Sequence, residues 1–283
     1  MIWKAGNKTL DLSTGPKVMG ILNVTPDSFS DGGKFNSVQV AIDHALRMED
    51  QGAAIIDIGG ESTRPGAEPV DCEEEIRRVV PVVKALAERT SVILSIDTTK
   101  SAVAEACLNL GAHAINDISG LTFDPKMMDV ARGKKCGWML MHIQGTPQTM
   151  QKSPTYIAVA KEVTEFLIGR MQSLLNTGVQ EDQIVLDPGI GFGKTQEHNM
   201  ELLANWKPLR SLGRPICLGV SRKKFLGTLL GRSPEERLAG TLGVLAYSYL
   251  AGSADIFRVH DVLQARDLLE TVHALKSWKP GHC

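Results

Sequence analysis

Short runs of Val, Ile and Leu alternate along the chain with longer stretches in which apolar residues recur every three or four positions. The first pattern suits strands buried on both faces, the second suits helices with one buried stripe, and their alternation predicts β/α units around a parallel sheet. Eight apolar runs qualify, at residues 18–24, 53–58, 92–97, 113–117, 137–141, 183–187, 215–220 and 255–259. Between them, Val103, Ala106, Cys107 and Leu110 share one helical face that Gly111 closes. The segment Ser233-Pro234-Glu235-Glu236 reads as a capping box opening a helix whose inner face is Leu238, Leu242, Leu245, Ala246 and Tyr249, ended by Gly252. Residues 1–12 are expected to form a small hairpin over one end of the sheet.

Length sharpens this picture: 283 residues fit eight strands and eight helices closed into an α/β (β/α)8 TIM barrel, which typically needs about 250 residues. No low-complexity linker or change of composition interrupts the chain, so residues 1–283 are read as a single domain. Hydrophobic residues at 43% and charged residues at 22% exclude a disordered chain. No apolar run approaches the roughly 18 residues that span a bilayer, and the N-terminus lacks a signal-peptide pattern, so a cytoplasmic location is expected. A net charge of −1 argues against broad nucleic-acid binding. The five cysteines, with no close pair, suit reduced thiols better than a disulfide framework or a zinc site.

In a closed parallel barrel all strands end on one face, so the residues just past each apolar run converge on one mouth. Two of these segments, residues 23–33 and 59–66, are long, polar and glycine-containing, as expected of active-site loops. Asp97, Asn116 and Asp187 bring acid and amide side chains that could read a ring offering several N–H donors. Arg64, Lys223, Arg258 and His260 bring positive charge suited to a phosphate or pyrophosphate, and Arg258 and His260 alternate so that both can face the mouth. Asp117 and Asp261 are assigned to capping, His142 remains ambiguous, and the other histidines are read as structural or surface residues.

The run Asp187-Pro188-Gly189-Ile190-Gly191-Phe192-Gly193-Lys194-Thr195 fails both nucleotide-binding spacings. Pro188 stands where a P-loop needs Gly, and Lys194 where a dinucleotide fingerprint needs its last Gly. Its glycines are expected to turn the chain tightly and present Phe192 to an aromatic ligand. A pyrophosphate substrate would bring magnesium, held by one or two protein oxygens such as that of Asn23.

Taken together and in order, residues 23–33 and 59–66, Asp97-Thr98, Ile115-Asn116-Asp117, residues 186–194, Ser221-Arg222-Lys223 and Arg258-Val259-His260-Asp261 resemble the bacterial dihydropteroate synthases. The resemblance implies a barrel, usually a homodimer, that condenses 6-hydroxymethyl-7,8-dihydropterin pyrophosphate with p-aminobenzoate. The products would be 7,8-dihydropteroate and pyrophosphate, formed by dissociative substitution at the pterin methylene carbon in folate synthesis. It also implies that Asp97, Asn116, Asp187 and Lys223 contact the pterin, and that Asn23, Arg64, Arg258 and His260 hold pyrophosphate and Mg2+. Phe29, Thr63, Pro65, Phe192, Ser221 and Lys223 would form the p-aminobenzoate pocket, with Asp97, Lys223, Arg258 and His260 catalytic. The loop between Phe29 and Gly33 lacks the extra residue associated with insensitive forms, so sulfonamide inhibition is expected. The competing readings are a pterin-dependent methyltransferase, which lacks these two loops, and a non-catalytic pterin-binding protein, which has no use for the cationic rim.

Overall fold

The computed structural model describes residues 1–25 and 33–279. The chain opens with an antiparallel hairpin, β1 (Ile2–Ala5) and β2 (Lys8–Asp11), as expected for the first twelve residues. Eight parallel strands follow: β3 (Lys17–Asn23), β4 (Ile55–Gly59), β5 (Ile93–Asp97), β6 (Ala114–Asp117), β7 (Gly137–Met141), β8 (Ile184–Asp187), β9 (Cys217–Gly219) and β10 (Ile256–Val259). Each lies within one of the apolar runs or overlaps it to within a residue. They pair in sequence order from β3 to β8, and β3 also pairs with β10, which pairs with β9. The ring closes at one bridge, Leu186 to Ile216, where the Leu186 N–H donates to the Pro215 carbonyl at 2.9 Å.

Strand parity divides the interior. Alternate residues point outward, and these are apolar almost throughout: Ile56 and Ile58, Leu94 and Ile96, Ile184 and Leu186, Phe257 and Val259 join the core beneath the surrounding helices. The inward set is apolar only at its lower end, where Met19, Ile55, Ile93, Met139, Val185 and Ile256 pack with Trp3 of the hairpin. Trp3 is fully buried and its Nε1–H donates to the Gln183 carbonyl at 3.0 Å, so the hairpin seals the barrel floor. One step toward the C-terminal ends, the inward positions turn polar, with Asp57, Ser95, Asn116, Asp187 and Arg258. That change of polarity in β4, β5, β6, β8 and β10, with Met141 of β7 staying apolar, is what makes the upper barrel a site rather than a core.

The helices are α1 (Gly33–Asp50), α2 (Cys72–Ala87), α3 (Ser101–Asn109), α4 (Met127–Gly133), α5 (Val159–Leu175), α6 (Gln196–Ala204), α7 (Lys207–Arg210), α8 (Lys224–Leu230), α9 (Leu238–Ala251) and α10 (Val262–Ser277). α3 buries Val103 and Cys107 as expected, with Ser101 and Ala104 beside them; Leu110, just past its end, packs partly buried against the same core, and Ala106 is only partly covered. The Ser233 capping box forms on a 3-10 turn, Pro234–Glu236, and not on α9 itself. Arg237 (φ −87°, ψ 7°) intervenes, its guanidinium donating to the Arg222 and Arg232 carbonyls. α9 ends at Gly252 in the left-handed conformation, and buries Thr241, Leu245 and Ser248 while most of its other apolar residues stay partly exposed.

Candidate active site

The floor of the mouth is one hydrogen-bonded ion cluster assembled from four strands. Arg258 of β10 donates from Nε to Asp57 of β4 at 2.6 Å and from Nη2 to Asp97 of β5 at 2.7 Å. Asn116 of β6 donates its Nδ2 to the same Asp57 oxygen at 2.9 Å, which leaves its side-chain Oδ1 as an acceptor. Burial drives the Asp97 carboxyl up to about 7; Arg258 opposes this, while the nearby carboxylates of Asp57, Glu75 and Asp117 add to it. Burial alone would weaken the Arg258 cation, but the two aspartates hold it above its ordinary value. Arg258 thus joins the acidic floor to the cationic rim, which the sequence suggested as separate zones.

On the opposite wall, Asp187 ends β8 and accepts from the Gly189 N–H at 2.7 Å, turning the chain into the glycine-rich loop. Gly189 and Gly193 are required there. Both have positive φ, and a Cβ would lie 1.9 Å from the His142 carbonyl oxygen at Gly189 and 2.3 Å from that of Gln144 at Gly193. The loop carries Phe192 against Met141, Ile143 and Met150, with the Lys223 ammonium 4.5 Å over its ring centroid. Lys223 also donates to the Ile190 carbonyl. Burial pulls this lysine down to about 8 against the pull of Asp187, and burial likewise raises Asp187.

At the rim, the Ser221 hydroxyl and His260 Nδ1 lie 2.9 Å apart, and the His260 N–H donates to the same hydroxyl at 3.2 Å. Burial, then Arg258 and Arg222, push the imidazole down to about 4. His260 is therefore neutral near pH 7 and offers a hydrogen bond rather than a charge. Arg64 and Pro65 are exposed at the tip of the segment after β4, with Thr63 half-buried beside them. The base of that segment is fixed: Lys100 pairs with Glu61 and with the buried Glu75, Glu61 accepts from the Val70 N–H at 3.1 Å, and Arg78 donates to the Gly60 carbonyl at 2.8 Å. Asn23 ends β3 beside Gly59 of β4. Phe29 lies outside the described residues.

Several residues take structural parts. Asp117 accepts from the N–H and hydroxyl of Ser119 in a buried turn, at 2.7 and 2.6 Å, and Asp261 pairs with Arg222. His142 is buried against Phe166 and its Nδ1 lies 2.9 Å from Lys194 Nζ, so it belongs to the support of the glycine-rich loop. Two features escaped the reading of residues past the strand ends. Asp57 sits inside an apolar run, but it shares inward parity with Gly59 and is the one acid within Ile55-Ile56-Asp57-Ile58, which is a signal. The segment 142–158 after β7 meets the two other walls of the mouth: the Gly66 N–H donates to Pro147 at 3.0 Å, and Gln151 Nε2 to Gly191 at 2.7 Å.

Residues 19–260 match the family model described as pterin binding enzyme. The chain belongs to the pterin-binding enzyme family. It is 46% identical over 271 residues to the dihydropteroate synthase of a Synechocystis species, covering 95% of this chain and 93% of that one. The barrel is similar to the Yersinia pestis dihydropteroate synthase solved with a sulfonamide drug, with a TM-score of 0.92 and 44% identity across 98% of this chain and all of that one. It is also similar to the Xanthomonas albilineans dihydropteroate synthase solved with 4-aminobenzoic acid, at a TM-score of 0.89 and 41% identity across 96% of each chain. In this pterin-binding enzyme no helix among the described residues is long and apolar enough to cross a membrane. Nor do three or more His, Cys, Asp or Glu side chains gather there as a metal cage.

Proposed function

We propose that this pterin-binding enzyme is a dihydropteroate synthase. It joins 6-hydroxymethyl-7,8-dihydropterin pyrophosphate to p-aminobenzoate, releasing pyrophosphate by dissociative substitution at the methylene carbon. The observation that carries this reading is the Asp57–Arg258–Asp97 bridge, in which one cation is held directly against two carboxylates where the acidic floor meets the cationic rim. A substrate that separates into an electron-poor ring carbon and a departing anion is matched by that arrangement. The relatives named above support the same reaction, and methyl transfer gains nothing from them.

In this reading the ring lies on the floor, against Asp97, Asn116, Asp187 and Lys223. The carboxylates and the Asn116 side-chain Oδ1 accept its N–H groups. Asn23, Arg64, Arg258 and His260 take the pyrophosphate, with Arg258 gaining an anionic partner as charge leaves the carbon that Asp97 stabilises. Phe29, Thr63, Pro65, Phe192, Ser221 and Lys223 hold p-aminobenzoate so that its amine faces that carbon. No protein nucleophile is needed. Asn23 supplies one neutral, hard oxygen, which fits Mg2+ arriving on the pyrophosphate and keeping most of its waters; bound there, the ion would neutralise charge on the leaving group.

The enzyme works as a homodimer in the cytoplasm in this reading. α8 and α9 support the first part, leaving Leu229, Tyr247 and Leu250 more than half exposed at 57, 51 and 56%. The four cysteines in the described residues, all free thiols, are in keeping with the second. The test of the reaction is pyrophosphate release from the dihydropterin substrate. Release that requires both p-aminobenzoate and magnesium is expected; methyl transfer without pyrophosphate release would overturn the assignment. Sulfonamide should compete with p-aminobenzoate in the same assay, and undiminished activity at saturating drug would remove that part.

A further inference from the structure

The glycine-rich loop would be expected to be the most pliant wall of the mouth, since Gly189, Gly191 and Gly193 all have positive φ, at +67°, +83° and +62°. Instead, each of its five consecutive carbonyls accepts a side-chain donor. Lys194 Nζ donates to Gly189 and to Phe192, both at 3.0 Å. Lys223 donates to Ile190, Gln151 to Gly191 at 2.7 Å, and the Tyr156 hydroxyl to Gly193 at 2.8 Å. The hub of this set is Lys194, which is only 2% exposed and also reaches His142, at 2.9 Å to Nδ1 and 3.4 Å to the carbonyl.

A buried lysine usually signals catalysis or an ion pair, and the geometry here supports neither. Every hydrogen-bond partner of Lys194 is a neutral acceptor, and among the described residues it makes no ion pair. Four acceptors surround an ammonium that has three protons to give, so none is left to aim at a ligand. A neutral amine would satisfy fewer still. Burial pulls the ionisation of this amine well below that of an ordinary lysine, and its nitrogen sits in a ring of carbonyls, tying both ends of the loop to the strand end at His142.

We propose that Lys194 is a positioning residue for the aromatic-amine subsite, fixing Phe192 by holding the loop carbonyls on either side of it. This rests on the reading that Phe192 lines that subsite. Remove the donors and the part-buried Phe192 carbonyl loses its partner while that of Gly189 keeps only the Phe192 N–H at 3.0 Å, so the loop rearranges to solvate them and Phe192 moves with it. The consequence falls on the amine more than on the pterin: Asp187 and Lys223 touch the loop at Gly189 and Ile190, but the pterin keeps Asp97 and Asn116, which stand on other strands.

The experiment compares steady-state and binding constants in the full-length enzyme. Lys194→Met keeps the length and burial of the side chain but not its donors. The expected result is a KM for p-aminobenzoate raised at least tenfold, with the Kd of dihydropterin pyrophosphate, measured by calorimetry, changed less than threefold. Gln151→Leu and Tyr156→Phe each remove one surface-side donor, and should raise the same KM about threefold with little change in Tm. An unchanged amine KM in folded Lys194→Met, or equal weakening of both substrates, overturns the proposal. Should that variant fail to fold, unchanged amine KM in both Gln151→Leu and Tyr156→Phe overturns it. Phe192→Ala separates the two levels: if it leaves the amine KM unaltered, the placement of Phe192 is wrong, whereas an effect there without one in Lys194→Met sinks only the role of the lysine.

Discussion

Asp97 and Lys223 are buried near each other with their ionisation pushed in opposite directions, the carboxyl up to about 7 and the ammonium down to about 8. The proposed chemistry uses the charged form of both. Below about 7 the carboxyl of Asp97 holds its proton, and above about 8 Lys223 loses its own. The plot of kcat/KM for the pterin substrate against pH should therefore be a narrow bell between these two values, since that constant reports groups in the free enzyme. Asp97→Ala should lower turnover on the order of 100-fold or more, the scale of a lost electrostatic contact in the transition state, while far-UV circular dichroism stays native. A flat profile from pH 6 to 9 would remove the assignment of Asp97, as would a variant that is inactive only because it is unfolded. His260, held neutral, should contribute neither limb.

Strands and loops differ in how much of them the sequence discloses. The eight strands were legible because a parallel strand buried on both faces must be apolar on its outward side whatever the site needs, and Ile56, Ile58, Leu94 and Ile96 meet that demand. The acids at strand ends were legible for the complementary reason: Asp97 and Asp187 sit where an apolar run stops. Asp57 was harder to see because its neighbours on both sides are isoleucines, and only the parity of the strand separates it from them. The supports of the loops were invisible, because Lys194, Gln151 and Tyr156 act on backbone carbonyls of residues up to 52 positions away, and no spacing records that. The glycine-rich loop yields a sharp test at this scale. Gly189→Ala combines positive φ with a backbone collision and should cost more than about 2 kcal/mol in a denaturant melt. Gly213→Ala, with similar φ but open space around its Cβ position, should cost about 1 kcal/mol. Equal losses would mean that the loop yields more easily than its packing implies.

For the whole molecule, the surface of α9 poses a question of assembly. A helix with so little charge and so few buried residues is covered by something in most soluble proteins. If a second copy covers it, Tyr247→Glu with Leu250→Glu should halve the mass measured by light scattering in solution, leaving each barrel folded; an unchanged mass would place the interface elsewhere. The ring of strands has its own weak point. β8 and β9 meet at a single bridge, β9 is three residues long, and a void of about 20 Å³ lined by Pro188, Ile190 and Leu218 lies against the same join. This is where the barrel should breathe. Amide protons of β8 and β9 should exchange with deuterated water sooner than those of β4 and β5, and ligands that bridge Asp187 and Lys223 across the join should slow that exchange. The proposed substrates would then act as the missing rungs of the ladder, completing on binding a cylinder that the chain alone leaves lightly stitched.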